Sequence, residues 1–264
     1  MIKYVDGDLF KSIDGNHEKE TIIIPHIVNS KKGWGAGFVV PLANAYPETR
    51  DSFFRWSNTH EDTDVVSHTG PYELGHVQFV RVSFEREKES EAVIDQKAEV
   101  TKFKVGDRVR VISEQFKGSI GHVDKMQECG LRMAFRVKSS DNSLPPCYYH
   151  ETELELAPKP NIVVANMVAQ TLGGERPISY KYLGRCMEAV SLYCESIKKH
   201  DGIPRIVAPM FGSGLARGKW SFIEQLIEDY WGNQMEIQIH YLPEYLPKDW
   251  KLPERGIHLF EVRP

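Results

Sequence analysis

The sequence predicts an α/β domain whose chain is interrupted by a small all-β module. Long apolar runs alternate with helix-like segments in the first and last parts of the 264-residue chain, a pattern typical of a largely parallel or mixed sheet. Short β-like pieces separated by turn residues fill the middle part, after an acidic stretch. We therefore expect one domain from residues 1–84 and 160–264, a linker at 85–100, and an inserted module at 101–157.

The first part of the chain supplies three strand candidates and a helical segment. Residues 2–5 and 76–82 are short strand candidates, and residues 21–28 form a nearly continuous apolar run of the kind that is buried on both faces of a sheet. A glycine-rich stretch follows this run. A segment with apolar residues at helical spacing comes next, and Pro47 is expected to divide it into two helices.

The middle part begins with a segment of very different composition. Residues 85–99 carry six acidic and three basic side chains with few apolar anchors, which is typical of a solvated linker. Five β-like pieces then follow at close spacing, which favours a small barrel of antiparallel strands. These pieces are residues 108–112, 121–124, 133–137, 147–149 and 153–156.

The last part returns to longer elements. Residues 161–168, 203–210 and 235–241 are strand candidates. Apolar residues at three- and four-residue steps predict helices over 177–200, closed by Gly202, and over 220–230. The proline-rich tail at 243–264 has no clear period.

Composition excludes several classes of protein. The 33 Lys+Arg and 37 Asp+Glu give a net charge of -4, which argues against a wholly basic nucleic-acid wrapper. The four cysteines contain no C-x-x-C pair, so neither a disulfide scaffold nor a zinc ribbon is indicated. No apolar run approaches the roughly 18 residues that span a bilayer. We expect a soluble, cytoplasmic protein without a cofactor. No His/Asp/Glu cluster has metal-ligand spacing, which agrees with a site that uses no metal.

Two glycine loops each follow a buried strand candidate: Gly33-Trp-Gly-Ala-Gly37 and Gly212-Ser-Gly-Leu-Ala-Arg-Gly218. In an open α/β sheet, ligands bind beyond the carboxyl ends of the strands, and glycine lets backbone N–H groups approach a phosphate. The pair therefore predicts a diphosphate held from both sides. Tight turns without a ligand are the alternative.

The glycine loops do not fit two common nucleotide motifs. A dinucleotide-binding G-x-G-x-x-G would need glycine at Phe38 or Arg217. A P-loop would need glycine at Ser213 and Ser or Thr at Trp220. Neither dinucleotide oxidoreductase nor NTPase chemistry is therefore supported.

Four motifs in order resemble those of the macrodomain family. They are Tyr4-Val-x-Gly-Asp-Leu-Phe10, His26-x-x-Asn29 with Gly33–Phe38, Val164-Ala-Asn-Met-x-x-Gln170, and the stretch from Pro209 to Trp220. They are most similar to the bacterial and phage branch related to ADP-ribose 1″-phosphate phosphatases. The resemblance covers nearly all of the α/β part and implies a three-layer α/β/α mixed sheet.

The resemblance implies an ADP-ribose cleft. Asp8 would accept a hydrogen bond from the adenine amine, the first glycine loop would line the distal ribose, and the second would cradle the diphosphate. The implied catalytic residues are Asn29, His26 and Gln170, and the implied ligand-binding residues are Asp8, Leu9, Gly33, Trp34, Gly35, Ala36, Gly37, Phe38, Phe211, Gly212, Ser213, Gly214 and Leu215.

Each role has a simpler alternative. Asp8 is next to Gly7, which also fits an Asp turn, and Asn29 also fits the role of a turn residue. His26 also fits a core histidine, and strict strand alternation would place His26 and Asn29 on opposite faces.

The family's catalytic chemistry is matched only in part. Macrodomains that act through a lysine adduct carry an aspartate where this chain has Ala216, which argues against that route. Lys31 and Lys32 beside the first loop fit attraction of a terminal phosphate, or an exposed basic turn. We expect a metal-independent hydrolase that removes a substituent from the distal ribose, of the phosphatase or de-ADP-ribosylation type. The alternative is a non-catalytic module that binds ADP-ribose.

The inserted module resembles a KOW-type, SH3-like barrel, on residues 103–112 and 116–123. Such modules bind RNA or protein. Residues 101–138 contain nine Lys/Arg and four Asp/Glu, a balance compatible with nucleic acid. RNA binding, protein docking and a lid over the cleft all remain open.

Overall fold

The structure, a computed structural model, describes residues 2–13, 19–59, 66–82, 102–117, 119–129, 132–138, 147–156, 161–247 and 250. The chain forms two compact units. One comprises residues 1–13, 21–82 and 162–264, and the other comprises 14–20 and 83–161. The expected linker at 85–100 and the end of the tail, 251–264, lie outside the described residues.

The secondary structure alternates strands and helices in the first unit and is mainly strands in the second. The strands are β1 (Ile2–Asp6), β2 (Glu20–Asn29), β3 (Val66–His68), β4 (Val77–Val82), β5 (Arg108–Val111), β6 (Ile120–Cys129), β7 (Arg132–Lys138), β8 (Cys147–His150), β9 (Leu154–Leu156), β10 (Asn161–Gln170), β11 (Ile203–Pro209) and β12 (Glu236–Tyr241). The helices are α1 (Leu9–Ser12), α2 (Val39–Ala45), α3 (Pro47–Thr59), α4 (Tyr180–Lys199) and α5 (Trp220–Trp231).

The first unit is built on a seven-stranded mixed sheet, in the order β1-β12-β11-β2-β10-β4-β3. β12 pairs in parallel with both β1 and β11, whereas β4 pairs antiparallel with β10 and β3. The Ser30 amide donates to the Gln170 carbonyl at 2.8 Å, so β2 and β10 end at the same edge of the sheet. The predicted α/β class with a mixed sheet is therefore confirmed.

Helices cover both faces of this sheet, and β2 shows how. Ile23 packs in a core cluster with side chains of α4 and α5. Its neighbours Ile22 and Ile24 pack in a separate cluster with Leu42 of α2. Successive side chains of a strand point to opposite faces, so a strand buried on both sides has to be apolar throughout, as this one is over residues 22–24.

The second unit is an antiparallel five-stranded sheet in the order β8-β7-β6-β5-β9. It has its own core, in which the rings of Phe103 and Phe135 lie 5.4 Å apart. A register shift occurs in β6 between Val123 and Lys125. Across the described residues of the chain, no helix is long and apolar enough to cross a membrane.

Candidate ligand-binding site

The two glycine loops lie side by side in the first unit. One loop follows the end of β2 and the other follows the end of β11, which is the next strand in the sheet. A methyl group at Gly37 would lie 3.3 Å from Cδ1 of Leu215. The structure therefore brings the two predicted loops together.

The second loop is closed by its own backbone. The amide of Gly218 donates to the carbonyl of Gly212 at 2.8 Å, and the amide of Arg217 donates to the carbonyl of Gly214 at 2.9 Å. Gly212 has φ 81°, and a methyl group there would lie 2.9 Å from both Ile178 and Ile223. At Gly212 the glycine is thus required by the turn and by close packing on the core.

The outer part of this loop has a different character. Nothing lies within 4 Å of the position that a Gly214 methyl group would occupy, and Leu215 is 66% exposed. In the described part of the chain, the backbone N–H groups of residues 213–216 have no acceptor. Consecutive amides of this kind, just before the start of α5, suit an anion such as a phosphate.

Asn29 holds the first loop. Its Oδ1 accepts from the amides of Lys31, at 2.9 Å, and Gly33, at 3.0 Å, while its Nδ2 donates to the Gly33 carbonyl at 2.9 Å. Tyr72 donates its hydroxyl hydrogen to the Asn29 carbonyl. The side-chain oxygen is thus already engaged twice, and the group left for a ligand is the second N–H of Nδ2. The turn role that the sequence left open is realised, and the catalytic role stays a prediction.

His26 is buried, with 1% of its surface exposed. Its ring lies against Trp34 and Phe38, at centroid distances of 5.9 and 5.7 Å, and its Nε2 is 2.5 Å from Oδ1 of Asn166. Burial lowers the pKa of His26 to about 4, so the ring is neutral near pH 7. No hydrogen bond joins His26 to Asn29 among the described residues, as alternation along β2 leads one to expect.

The remaining predicted residues fall at the ends of strands. Gln170 ends β10 and is half-buried. Asp8 follows β1 and caps α1, accepting from the Phe10 amide at 3.0 Å, so the turn interpretation is also realised. The side chains of Leu9 and Phe211 are buried in the core, which leaves their backbone atoms for contact with a ligand.

The basic residues beside the first loop are exposed. Lys32, with φ 61°, donates from Nζ to Oδ1 of Asn58 at 3.0 Å. No group of three or more His, Cys, Asp or Glu side chains that could hold a metal ion occurs in the described parts of the chain.

Sequence reasoning gave no role to two buried residues next to this site, although Asn166 lies within the motif at Val164–Gln170. Asn166 contacts His26 and lies within the apolar run of β10, where a lone polar side chain was the available signal. His240 is buried near the end of β12, and burial lowers its pKa to about 4. It lies next to Val5 of β1 in the strand register, a long-range pairing that has no local signal in the sequence.

The first unit also has a cavity of about 540 Å³ beside β3, β4 and α4. Its lining includes His76, Phe79, Arg185 and Tyr193. None of the predicted site residues lines it, so it is separate from the glycine loops.

No family model and no curated protein matches the chain. Among solved structures, a protein from Bacteroides thetaiotaomicron is 20% identical with a TM-score of 0.51, over 91% of this chain and 99% of that one. A macrodomain protein from Streptomyces coelicolor is 18% identical with a TM-score of 0.48, over 91% and 99%. Thermosipho africanus DarTG in complex with ADP-ribose is 13% identical with a TM-score of 0.44, over 95% and 43%. The likeness to the Bacteroides protein is one of fold.

Proposed function

We propose that the first unit is a macrodomain that binds ADP-ribose or a derivative between its two glycine loops. The observation that carries the proposal is the adjacency of the loops, seen in the approach of Leu215 to Gly37. A ligand between them meets the unengaged amides of residues 213–216 on one side. Consecutive amides of this kind suit the phosphate groups of a diphosphate.

The rest of the proposed ligand follows from the strand ends. The exposed Asp8 carboxylate lies after β1, where it would accept from the adenine amine. The first loop, held in shape by Asn29, would line the distal ribose. The ligand would thus lie along the carboxyl ends of β1, β11 and β2, as is usual in open α/β sheets.

We propose further that the unit hydrolyses a substituent on the distal ribose without a metal ion. Water would be positioned by the half-buried Gln170 and by the remaining N–H of Asn29. Ala216 is buried where lysine-adduct enzymes of the family carry an aspartate, so direct attack by water is favoured. ADP-ribose 1″-phosphate and ADP-ribosylated protein are the two substrates to compare.

Calorimetric titration with adenine nucleotides tests the binding proposal. ADP-ribose is expected to bind in the micromolar range, ADP more weakly and AMP more weakly still, because each lacks groups that the loops contact. Absence of ADP-ribose binding at millimolar concentration would overturn it. Release of phosphate from ADP-ribose 1″-phosphate, or of ADP-ribose from modified protein, tests the hydrolysis separately.

A second candidate is a non-catalytic ADP-ribose module that the second unit targets to RNA. One face of the five-stranded sheet favours it. Arg108 of β5 lies opposite His122 of β6, which lies opposite Lys138 of β7. This row is on the outer face, since Val109 and Val137, the neighbours of its end members, are buried in the core.

A second row adds to this basic face. Lys125 lies opposite Arg136, which lies opposite Tyr148, a residue that is 42% exposed. Arg136 donates to both carboxylate oxygens of Asp124 at 2.8 Å, so Lys125 carries the unbalanced positive charge of this row. Such a charge attracts the phosphates of a polyanion. An exposed ring beside them suits stacking on an unpaired base.

The double variant Lys125→Glu, Lys138→Glu tests this face. We expect at least a tenfold loss of affinity for a fluorescent oligouridine, and a salt dependence shallower by about two units, one for each lysine. The matched control is Lys181→Glu, Lys199→Glu, on exposed positions of α4. Equal losses in both variants, or no binding at low salt, would exclude RNA and leave a protein partner.

A further inference from the structure

A buried chain of hydrogen bonds runs from His26 across the sheet to α3. His26 Nε2 is 2.5 Å from Asn166 Oδ1, and Asn166 Nδ2 donates to Gln78 Oε1 at 2.9 Å. Gln78 Nε2 then donates to the Ser52 carbonyl at 2.9 Å. All three side chains are almost fully buried. The chain thus links β2, β10, β4 and α3.

The direction of this chain is fixed at its far end. The Ser52 carbonyl can only accept, so Gln78 presents its nitrogen to Ser52 and its oxygen to Asn166. Asn166 therefore donates to Gln78 and presents its own oxygen to His26. Nε2 of His26 has to carry a hydrogen. Burial lowers the pKa of His26 to about 4, so the ring is neutral near pH 7 and Nδ1 is a bare acceptor.

Two polar atoms beside the first glycine loop are buried without a partner in the described part of the chain. One is Nδ1 of His26, and the other is Nε1 of Trp34, on rings 5.9 Å apart at 89°. The indole N–H can only donate, and the fixed tautomer of His26 makes Nδ1 an acceptor. Both atoms are closed to solvent in the free protein, so a ligand atom reaches them only when the Trp34 ring moves. Leaving such groups unpaired costs about 1–3 kcal/mol each, which favours a ligand atom that pairs with both.

A hydroxyl group satisfies both atoms, because its oxygen accepts one hydrogen bond and donates another. A phosphate oxygen does not donate at neutral pH, and an ammonium does not accept. We infer that His26 Nδ1 and Trp34 Nε1 bind one ribose hydroxyl of the ligand, with Asn166 and Gln78 as positioning residues that fix the histidine tautomer. The identity of the ligand rests on the proposed function, whereas the tautomer is a property of the free protein.

Nitrogen NMR of protein labelled with ¹⁵N-histidine tests the tautomer and the contact. In the free protein, His26 is expected to show a protonated Nε2 and an unprotonated Nδ1. In Gln78→Leu, the two tautomers are expected to mix, with the fold checked by near-UV circular dichroism. ADP-ribose is expected to shift the Nδ1 resonance, whereas ADP, which lacks the distal ribose, leaves it in place.

Two results would overturn this inference without affecting the proposed function. One is a protonated Nδ1 in the free protein, and the other is calorimetric binding of ADP-ribose without a shift of Nδ1. An equal shift with ADP would assign the contact to a hydroxyl other than those of the distal ribose and overturn that assignment. If ADP-ribose does not bind, the proposed function is overturned, and so is the proposed contact of His26 and Trp34 with the ligand.

The variant Trp34→Phe probes the same contact without relying on His26. It removes an N–H that has no partner in the described structure, so we expect little loss of stability and about a tenfold loss of ADP-ribose affinity. Trp56→Phe is the matched control, since Trp56 Nε1 donates to the Gly70 carbonyl at 3.0 Å. That variant is expected to lose stability and keep affinity. The reverse pattern would contradict the inference.

Discussion

Gly212→Ala is expected to remove measurable ADP-ribose binding and to lower the free energy of unfolding by about 3 kcal/mol. Gly212 has φ 81°, where an alanine costs roughly 1–2 kcal/mol of backbone strain. Its methyl group would also lie 2.9 Å from Ile178 and Ile223 and 3.0 Å from Ile27, and such overpacking typically adds about 1–3 kcal/mol. The strain falls on the turn that shapes the second loop.

In this variant, the loss in the free energy of ADP-ribose binding is expected to exceed the loss in the free energy of unfolding. The carbonyl of Gly212 accepts from the Gly218 amide. A shift of Gly212 therefore opens the loop, and the amides of residues 213–216 no longer point toward one ligand position. Gly106→Ala is the matched control, because Gly106 also has a positive φ, 99°, no atom lies within 4 Å of the added methyl group, and the residue belongs to the second unit. Urea unfolding and calorimetry of both variants measure the two effects. Full affinity in folded Gly212→Ala would show that the loop does not hold the ligand.

The sequence predicts well those strands that are buried on both faces. β2 and β10 are apolar over most of their length, and the structure has them at Glu20–Asn29 and Asn161–Gln170, where strands were expected. β3 was missed because three residues, Val66–His68, are too few to show a period. Its strand conformation comes from pairing with β4, which is a tertiary effect.

The candidate site divides in a similar way. The glycine loops are local signals, and their adjacency follows from strand order, which the sequence does not reveal. The network through Asn166 and Gln78 joins residues 88 positions apart, and no local pattern relates them. The turn around Asn29 spans only residues 29–33, yet its hydrogen bonds decide which atoms are left for a ligand. Residue type alone therefore suggested chemistry for Asn29 that its local bonding restricts.

Asn29→Ala is expected to weaken ADP-ribose binding at least tenfold and to lower the free energy of unfolding by about 3 kcal/mol, at about 1 kcal/mol for each lost hydrogen bond. The variant loses the two bonds that Oδ1 accepts from Lys31 and Gly33 and the one that Nδ2 donates to Gly33. Without them the first loop is no longer fixed at the end of β2, so affinity falls together with turnover.

Two further variants separate positioning from catalysis at Asn29. Asn29→Asp keeps both bonds accepted by the side-chain oxygen. It loses both N–H groups of Nδ2 and sets a carboxylate oxygen against the Gly33 carbonyl, so its affinity is expected to fall close to that of Asn29→Ala. Asn58→Ala removes an exposed partner of Lys32 and is expected to change neither property. If Asn29→Ala instead keeps full affinity and loses only turnover, the loop is held without Asn29. The remaining Nδ2–H then belongs to the chemical step, because only an interaction made in the transition state lowers kcat and leaves binding intact.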